Sequence, residues 1–322
     1  MRIRLAERSI SVALLAAMLA GCAGTSQTTP ARNAALASVM APAASEQQSL
    51  LYVSNASNVT VYTYHNGSDI SQLGTLTGFT SPGGMCTDKA GDVWITDYYS
   101  RNTYEYAHGG SAPIGSIMPK VGYPYACAVD NATGNLAISY EHPNGHFRNY
   151  ALVVVYPSGM AYAPKTGFAR TYFLAYDNQS NLYTTGHACG YSDCYREGDV
   201  RLYKLAPGGS QFKLVNGPAR QSDPSAIAWV NPSFLMGNGQ SGKNGPAALK
   251  VQVSGNKSTI VGKVKFPDTY LTYGFSMRAG LIIVPDYAAN AVQIYNLQDG
   301  SLVNSFTEGL NQPFSAVVSQ KG

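Results

Sequence analysis

Charge is scarce in this chain: Asp, Glu, Lys and Arg make up 12% of its 322 residues, and basic residues form no run. Protein surfaces that hold nucleic acid need clustered Lys and Arg to displace the counterions of the phosphates. Nucleic acid is therefore not an expected partner. Loss of residues 1–21 would remove Arg2, Arg4, Arg8 and Glu7 from a formal charge of +4, so the remainder is nearly neutral. Helical periodicity is almost absent beyond the amino terminus, and no later stretch is apolar for long enough to span a bilayer. The five cysteines are too few and too scattered for a disulfide-framework miniprotein, and the chain is long enough to bury a core without one.

The amino terminus carries an address. Arg2, Arg4 and Arg8 precede an uncharged run from Ser9 to Ala20. That run is too short for a lasting transmembrane helix and reads as a secretion signal. It ends in Leu19-Ala20-Gly21-Cys22, which resembles a bacterial lipobox, with small residues before the cut and a thiol to carry lipid. The resemblance implies cleavage after residue 21 and lipidation (diacylglycerol and an acyl chain such as palmitate) at Cys22. The mature protein would then be anchored without a spanning segment. Ala23 after the cysteine implies passage to the outer membrane of the cell envelope. Residues 22–48, rich in Ala, Ser, Thr, Pro and Gln, bury too little apolar surface to offset their ordering entropy and are expected to form a flexible tether. Folding is expected to begin at Ser49 and to extend through residue 322.

Between those limits one plan recurs. Apolar runs that follow a turn begin at Leu51, Val93, Leu136, Leu182, Phe234 and Leu281, at spacings of 42, 43, 46, 52 and 47 residues. Each is followed by a second strand-like segment such as NTYEYAHGG or AVQIYNLQDG, and in most copies by a third and a fourth. Four short antiparallel strands per unit cannot bury both faces alone, but sheets set radially around an axis can. The expected fold is all-β: a six-bladed β-propeller of four-stranded antiparallel blades. The chain starts on the second strand of a blade and ends on a first strand, so Pro313–Gln320 is expected to pair beside Leu50–Asn55 and close the ring. The units resemble NHL-repeat and TolB-like propellers, most clearly in PGGMCTDKAGDVWITD and PYACAVDNATGNLAIS, through Pro82 and Pro124, Asp88 and Asp130, and the Gly91-Asp92 and Gly134-Asn135 turns.

In such a ring, the loops between second and third strands and the connections between blades surround one mouth of the central channel. The resemblance implies that ligands bind there. Here those segments are aromatic and carry arginine: Tyr98, Tyr99 and Arg101; Tyr123 and Tyr125; His142, His146, Phe147 and Arg148; Phe168 and Arg170; His187, Tyr191, Tyr195 and Arg196; Tyr270 and Tyr273; Tyr287; Phe314. Tyr and Arg combine large contact area with hydrogen bonding at low ordering cost. Tyr also suits strands and blade packing, which accounts for many of the 23 tyrosines.

Cys189 and Cys194 bracket a short loop and are expected to be bridged, because disulfides persist outside the cytoplasm. Cys86 and Cys127 fall on innermost strands of adjacent copies, one residue out of register when counted from Asp88 and Asp130. A bridge between them and a pair of buried thiols are both open readings. Pro143 and Gly145 preclude the helix that would aim His142 and His146 at one metal. Six-bladed lactonases hold calcium in the channel, and Asn55, Asp97, Asn238 and Asp286 end strands at places where they could converge on such an ion. No glutamate like the one those families carry in the first copy stands near Leu51.

These features lead to the expectation of a monomeric, membrane-tethered binding module without cofactor, whose mouth face takes an envelope protein, peptide or glycan. A calcium-dependent hydrolase or lactonase is the alternative, and an envelope scaffold without a ligand pocket is the third reading.

Overall fold

The computed structural model describes residues 39–40, 48–119, 122–141, 152–158, 160–187, 200–239 and 246–321. The signal segment, Cys22, the loop holding Cys189 and Cys194, and the candidate residues His146, Arg148, Tyr191 and Arg196 lie outside the described residues. Among the described residues there is no helix, and so none long and apolar enough to cross a membrane.

The strands fall into groups along the chain. The first is β1 (Val39–Met40), β2 (Leu50–Ser54), β3 (Val59–Thr63) and β4 (Gln72–Leu76). The second is β5 (Pro82–Thr87), β6 (Val93–Asp97), β7 (Asn102–Tyr106) and β8 (Pro113–Ile117). The third is β9 (Tyr123–Val129), β10 (Leu136–Glu141) and β11 (Leu152–Tyr156). The fourth is β12 (Arg170–Tyr176), β13 (Leu182–His187), β14 (Val200–Leu205), β15 (Lys213–Leu214) and β16 (Arg220–Gln221). The fifth is β17 (Ile227–Val230), β18 (Ser233–Asn238), β19 (Ala247–Ser254) and β20 (Lys257–Lys265). The sixth is β21 (Ser276–Arg278), β22 (Leu281–Asp286), β23 (Ala291–Asn296) and β24 (Leu302–Phe306), followed by β25 (Ser315–Ser319).

Each group is one antiparallel blade, and apart from β1 and β16 neighbouring strands in the chain are neighbours in the sheet. Blade 1 takes one strand from the far end of the chain. Its innermost strand is β25, paired with β2 so that Leu50 faces Ser319 and Ser54 faces Ser315. The expected closure is therefore the observed one. The innermost strands then follow one another around the axis as β25, β5, β9, β12, β17 and β21, and β21 lies against β25 again. The fold is a six-bladed β-propeller. Two blades vary the plan: the fourth position of blade 3 is reduced to a single bridge between Val155 and Tyr162, and in blade 4 both β15 and β16 pair with β14. Two residues from the expected tether, in β1, add a fifth strand to the outer edge of blade 1.

Burial explains the sequence pattern. Each blade is covered on both faces by its neighbours, so its second strand is largely buried, with a polar residue at its end in most blades, and every residue of β2 is buried. The outermost strands meet solvent and alternate, as the burial of β8 does. The turns after the innermost strands use the acids that marked the repeat. Asp88 accepts the N–H of Asp92 at 2.9 Å, Asp130 accepts Ala132 N–H at 3.1 Å, and Asp177 accepts Gln179 and Asn181 N–H at 2.9 Å each. These side chains hold the turn where the backbone would otherwise leave donors unpaired. Gly91 has φ of +87°, and a Cβ there would lie 2.9 Å from the backbone of Gln320, so the turn of blade 2 sits directly against the end of the closing strand.

Adjacent blades are latched at the same level by side-chain hydroxyls of the second strand. Ser54 donates to Gly83 O at 2.8 Å, Thr96 to Tyr125 O at 3.1 Å and Ser139 to Tyr172 O at 2.5 Å, each reaching the innermost strand of the next blade. Cys86 and Cys127 form a disulfide between β5 and β9, with Cα atoms 5.6 Å apart. The close approach has a cause in the sequence. A Cβ on Gly84 would lie 2.7 Å from that of Ala126, and one on Gly83 would lie 3.0 Å from Tyr125 O. Only this Gly-Gly pair facing a small residue lets the two innermost strands come within bridging range.

Candidate functional site

The second-to-third-strand loops and the blade connections do lie on one face, and the structure sorts the sequence-marked residues there into three groups. The first is an ordered ladder at the edge of blades 2 and 3. Tyr98 and Tyr123 stack with centroids 4.9 Å apart, and Tyr99 meets Tyr98 edge-on at 5.1 Å. The guanidinium of Arg101 sits 4.6 Å over the Tyr123 ring and donates to its hydroxyl at 3.0 Å. Tyr98 donates to Glu141 Oε2 at 2.5 Å, and the other oxygen of Glu141 faces Arg170 at 3.7 Å. Burial first, then the hydrogen bond to Glu141 and the charge of that carboxylate, push the Tyr98 hydroxyl well above its usual range, so it stays a donor. Glu141 was not among the sequence candidates, because its role depends on Tyr98, 43 residues earlier.

Arg101 is exposed and holds φ of +58°, uncommon for a residue with a Cβ. Its N–H bonds to Tyr98 O at 3.2 Å, which closes the tight DYYSRN turn and throws the side chain back over Tyr123. No acidic side chain among the described residues pairs with it. Tyr99 is 67% exposed. An aromatic ring and a cation are thus held in place by stacking, with one side of each left to solvent.

The second group fills the axis. Tyr125 of blade 3 lies 5.4 Å from Phe173 of blade 4 and 5.7 Å from Phe314 of blade 1, and Phe314 stacks on Tyr273 of blade 6 at 5.0 Å. Blades 1 and 3 are separated by blade 2 around the ring, so rings that touch from both meet across the centre. His187 meets Tyr172 edge-on at 5.6 Å, and Tyr287 meets Tyr273 at 5.4 Å, extending the cluster outward. Tyr270, 64% exposed, stands apart on the connection that enters blade 6. Phe168 is buried instead: it stacks on Tyr203 at 4.0 Å inside the blade 3–4 core.

The third group comprises the residues considered for calcium. Asp97 accepts the N–H groups of Thr80 at 3.0 Å and Ser81 at 2.6 Å. Asn238 Oδ1 accepts those of Ser222 at 3.0 Å and Asp223 at 3.2 Å, together with the Ser222 hydroxyl. Asp286 accepts N–H from Tyr270, Leu271, Ala288 and Ala289 at 2.8 to 3.2 Å. Asn55 accepts from Asn311 N–H at 3.1 Å. In four blades the same strand-end oxygen therefore ties down the chain entering that blade. These residues do not fit a shared calcium-ligand set, because their lone pairs point at backbone donors and aromatic rings occupy the axis.

Carboxylates do gather on the opposite face. Ligand atoms of Asp88, Asp92 and Glu105 lie within 4.8 Å of one another. Partial burial first, then the charges of Asp92 and Asp88, raise the pKa of Glu105. A carboxyl raised in the fold relative to the unfolded chain contributes its full stability below the ordinary Glu range and loses it as pH rises through the raised value. Glu105→Gln mimics the protonated form. It should raise the melting temperature at pH 7 and change it little below about pH 4. Melting curves at the two pH values check this, and equal shifts at both would reject the repulsion.

No family model and no curated protein matches the chain. Solved structures do. The chain is similar to one chain of the crystal structure of a nidogen/laminin complex, with a TM-score of 0.66 and 12% identity over 84% of this chain and 98% of the other. It is also similar to a protein of unknown function from Bacteroides caccae, with a TM-score of 0.58 and 12% identity over 85% and 100%. At that identity the likeness carries the fold.

Proposed function

We propose that this propeller is a non-enzymatic interaction module, held on the cell envelope by lipid at Cys22, that binds a protein or peptide partner on its mouth face. One observation carries the reading: the Tyr98–Tyr123–Arg101 stack, which holds in place the exposed Tyr99 ring and a guanidinium with no acidic partner among the described residues before any partner arrives. Binding surfaces draw most of their energy from such anchored Tyr and Arg side chains, because little entropy remains to be lost. The nidogen/laminin structure is a precedent for a similar ring within a protein complex. A disulfide between blades is consistent with an exported chain, since cytosolic thiols are kept reduced.

Retention of envelope proteins on the immobilised chain should fall at least tenfold when Tyr99→Ala and Arg101→Ala are combined, with the melting temperature nearly unchanged. Equal retention by the double variant would remove the mouth face from the proposal. Anchoring is checked separately: cells fed an alkynyl fatty acid should label the wild-type chain and not Cys22→Ser, and label on the serine variant would refute lipidation at that residue.

A further inference from the structure

Charge is unevenly placed on the ring. From Val200 to Lys265 the described residues include Arg201, Arg220 and six lysines but a single acid, Asp223. Two of those lysines are in an unfavourable relation. Lys204 on β14 and Lys213 on β15 are direct cross-strand partners, which puts their side chains on one face of the blade with Cβ atoms about 5 Å apart. Like charges so placed repel, and neither lysine has an acidic partner among the described residues. Lys204 is held in the arrangement by the ring of Tyr183, 5.6 Å from its Nζ.

Both lysines line a cleft of about 460 Å³ between blades 4 and 5, on the face away from the mouth. The other polar walls are Asn181, Ser210, Gln211 and Asn256, and glycines at 209 and 255 leave the backbone accessible. None of these is an acid. Asp177, on the neighbouring turn, is already committed to N–H groups of Gln179 and Asn181 and to both contacts from Asn181 Nδ2. A pocket with two ammonium groups that have no acidic partner among the described residues, with amide and hydroxyl donors and no carboxylate among its walls, is chemically suited to an oxyanion.

We propose that this cleft binds a phosphate monoester, its dianion set between Lys204 and Lys213 and its remaining oxygens or polar substituent reached by Asn181, Ser210, Gln211 and Asn256. The phosphate would convert a repulsive lysine pair into two charge-assisted contacts. It could be carried by a small soluble ester or by a lipid headgroup, and the test separates these sources. The site is independent of the mouth face.

The full chain is titrated calorimetrically with glycerol 3-phosphate, with glycerol as the neutral control, and tested for co-sedimentation with vesicles of phosphatidylcholine with or without phosphatidic acid. Saturable binding of glycerol 3-phosphate assigns the site to a soluble ester. Binding only to phosphatidic acid vesicles assigns it to lipid. In either case Lys204→Gln combined with Lys213→Gln should weaken binding at least tenfold while raising the melting temperature of the ligand-free protein. Asn256→Asp, which adds a carboxylate to the cleft, should also weaken binding, and Lys89→Gln on blade 2 should not. The proposal is overturned if neither probe binds, if the double variant binds as wild type does, or if Lys89→Gln weakens binding equally.

Discussion

A chain that stops at Gln312 has no cooperative melting transition. The deletion removes β25, whose five residues are all buried, along with Phe314 from the centre of the axial cluster. Burying a side chain such as Val317 or Val318 is worth roughly 1.5–3 kcal/mol each, and the partly buried Phe314 adds about half as much. The loss is therefore about 4–8 kcal/mol before the ladder with β2 is counted, against a total stability of about 5–15 kcal/mol for a typical domain. The damage also spreads, since β25 separates β5 from β21 and its removal opens both neighbouring blade interfaces. Calorimetry on the truncated chain checks this directly. A transition within a few degrees of wild type would mean that the ring does not depend on its closing strand.

The second large effect belongs to the disulfide. Cys86 and Cys127 are separated by 41 residues, a loop whose covalent closure restricts the unfolded chain by about 4 kcal/mol in the chain-entropy account. Replacing both by serine should lower the melting temperature by about 7 °C for a domain of this size. Reductant should shift the wild type further, by that same amount, than the double serine variant, in which Cys189 and Cys194 remain. The serine variant also separates entropy from packing, since the local approach of β5 and β9 is set by Gly83, Gly84 and Ala126 and persists without the bond. A wild-type melting curve that ignores reductant would show that the bridge contributes nothing in solution.

Period and closure could be read from the sequence because both rest on local chemistry. An aspartate turn follows the innermost strand in blades 2, 3 and 4, with glycine in the first two, and the unfinished blade at each end left one pairing to make. Blades 5 and 6, where Asn231-Pro232 and Arg278-Ala279-Gly280 replace the acid, still turn there. Positive φ at Ala279 and Gly280 performs the same reversal without a side-chain acceptor. The site was legible only in part. Tyr98, Arg101 and Tyr123 were marked as mouth residues, but their stacking and the participation of Glu141 depend on how two blades lean together. The axial cluster joins Tyr125 to Phe314, more than half the chain apart, a proximity that no local pattern encodes. Asp97, Asn238 and Asp286 had the right residue types for metal ligands. Only the backbone traced around them shows that the connection entering the blade, 15 to 17 residues earlier, takes those oxygens. Phe168 followed the aromatic trend of the loops and is a core residue.

Blade 1 draws its innermost strand from one end of the chain and the rest from the other. Every other blade can assemble as soon as its own stretch of about 45 residues has been made. Blade 1 waits for the whole polypeptide, and contacts of such wide sequence separation form slowly. Until then β2, β5 and β21 present apolar surface without its cover, which makes the interval between synthesis and closure the period in which the protein is most exposed to aggregation and to chaperones.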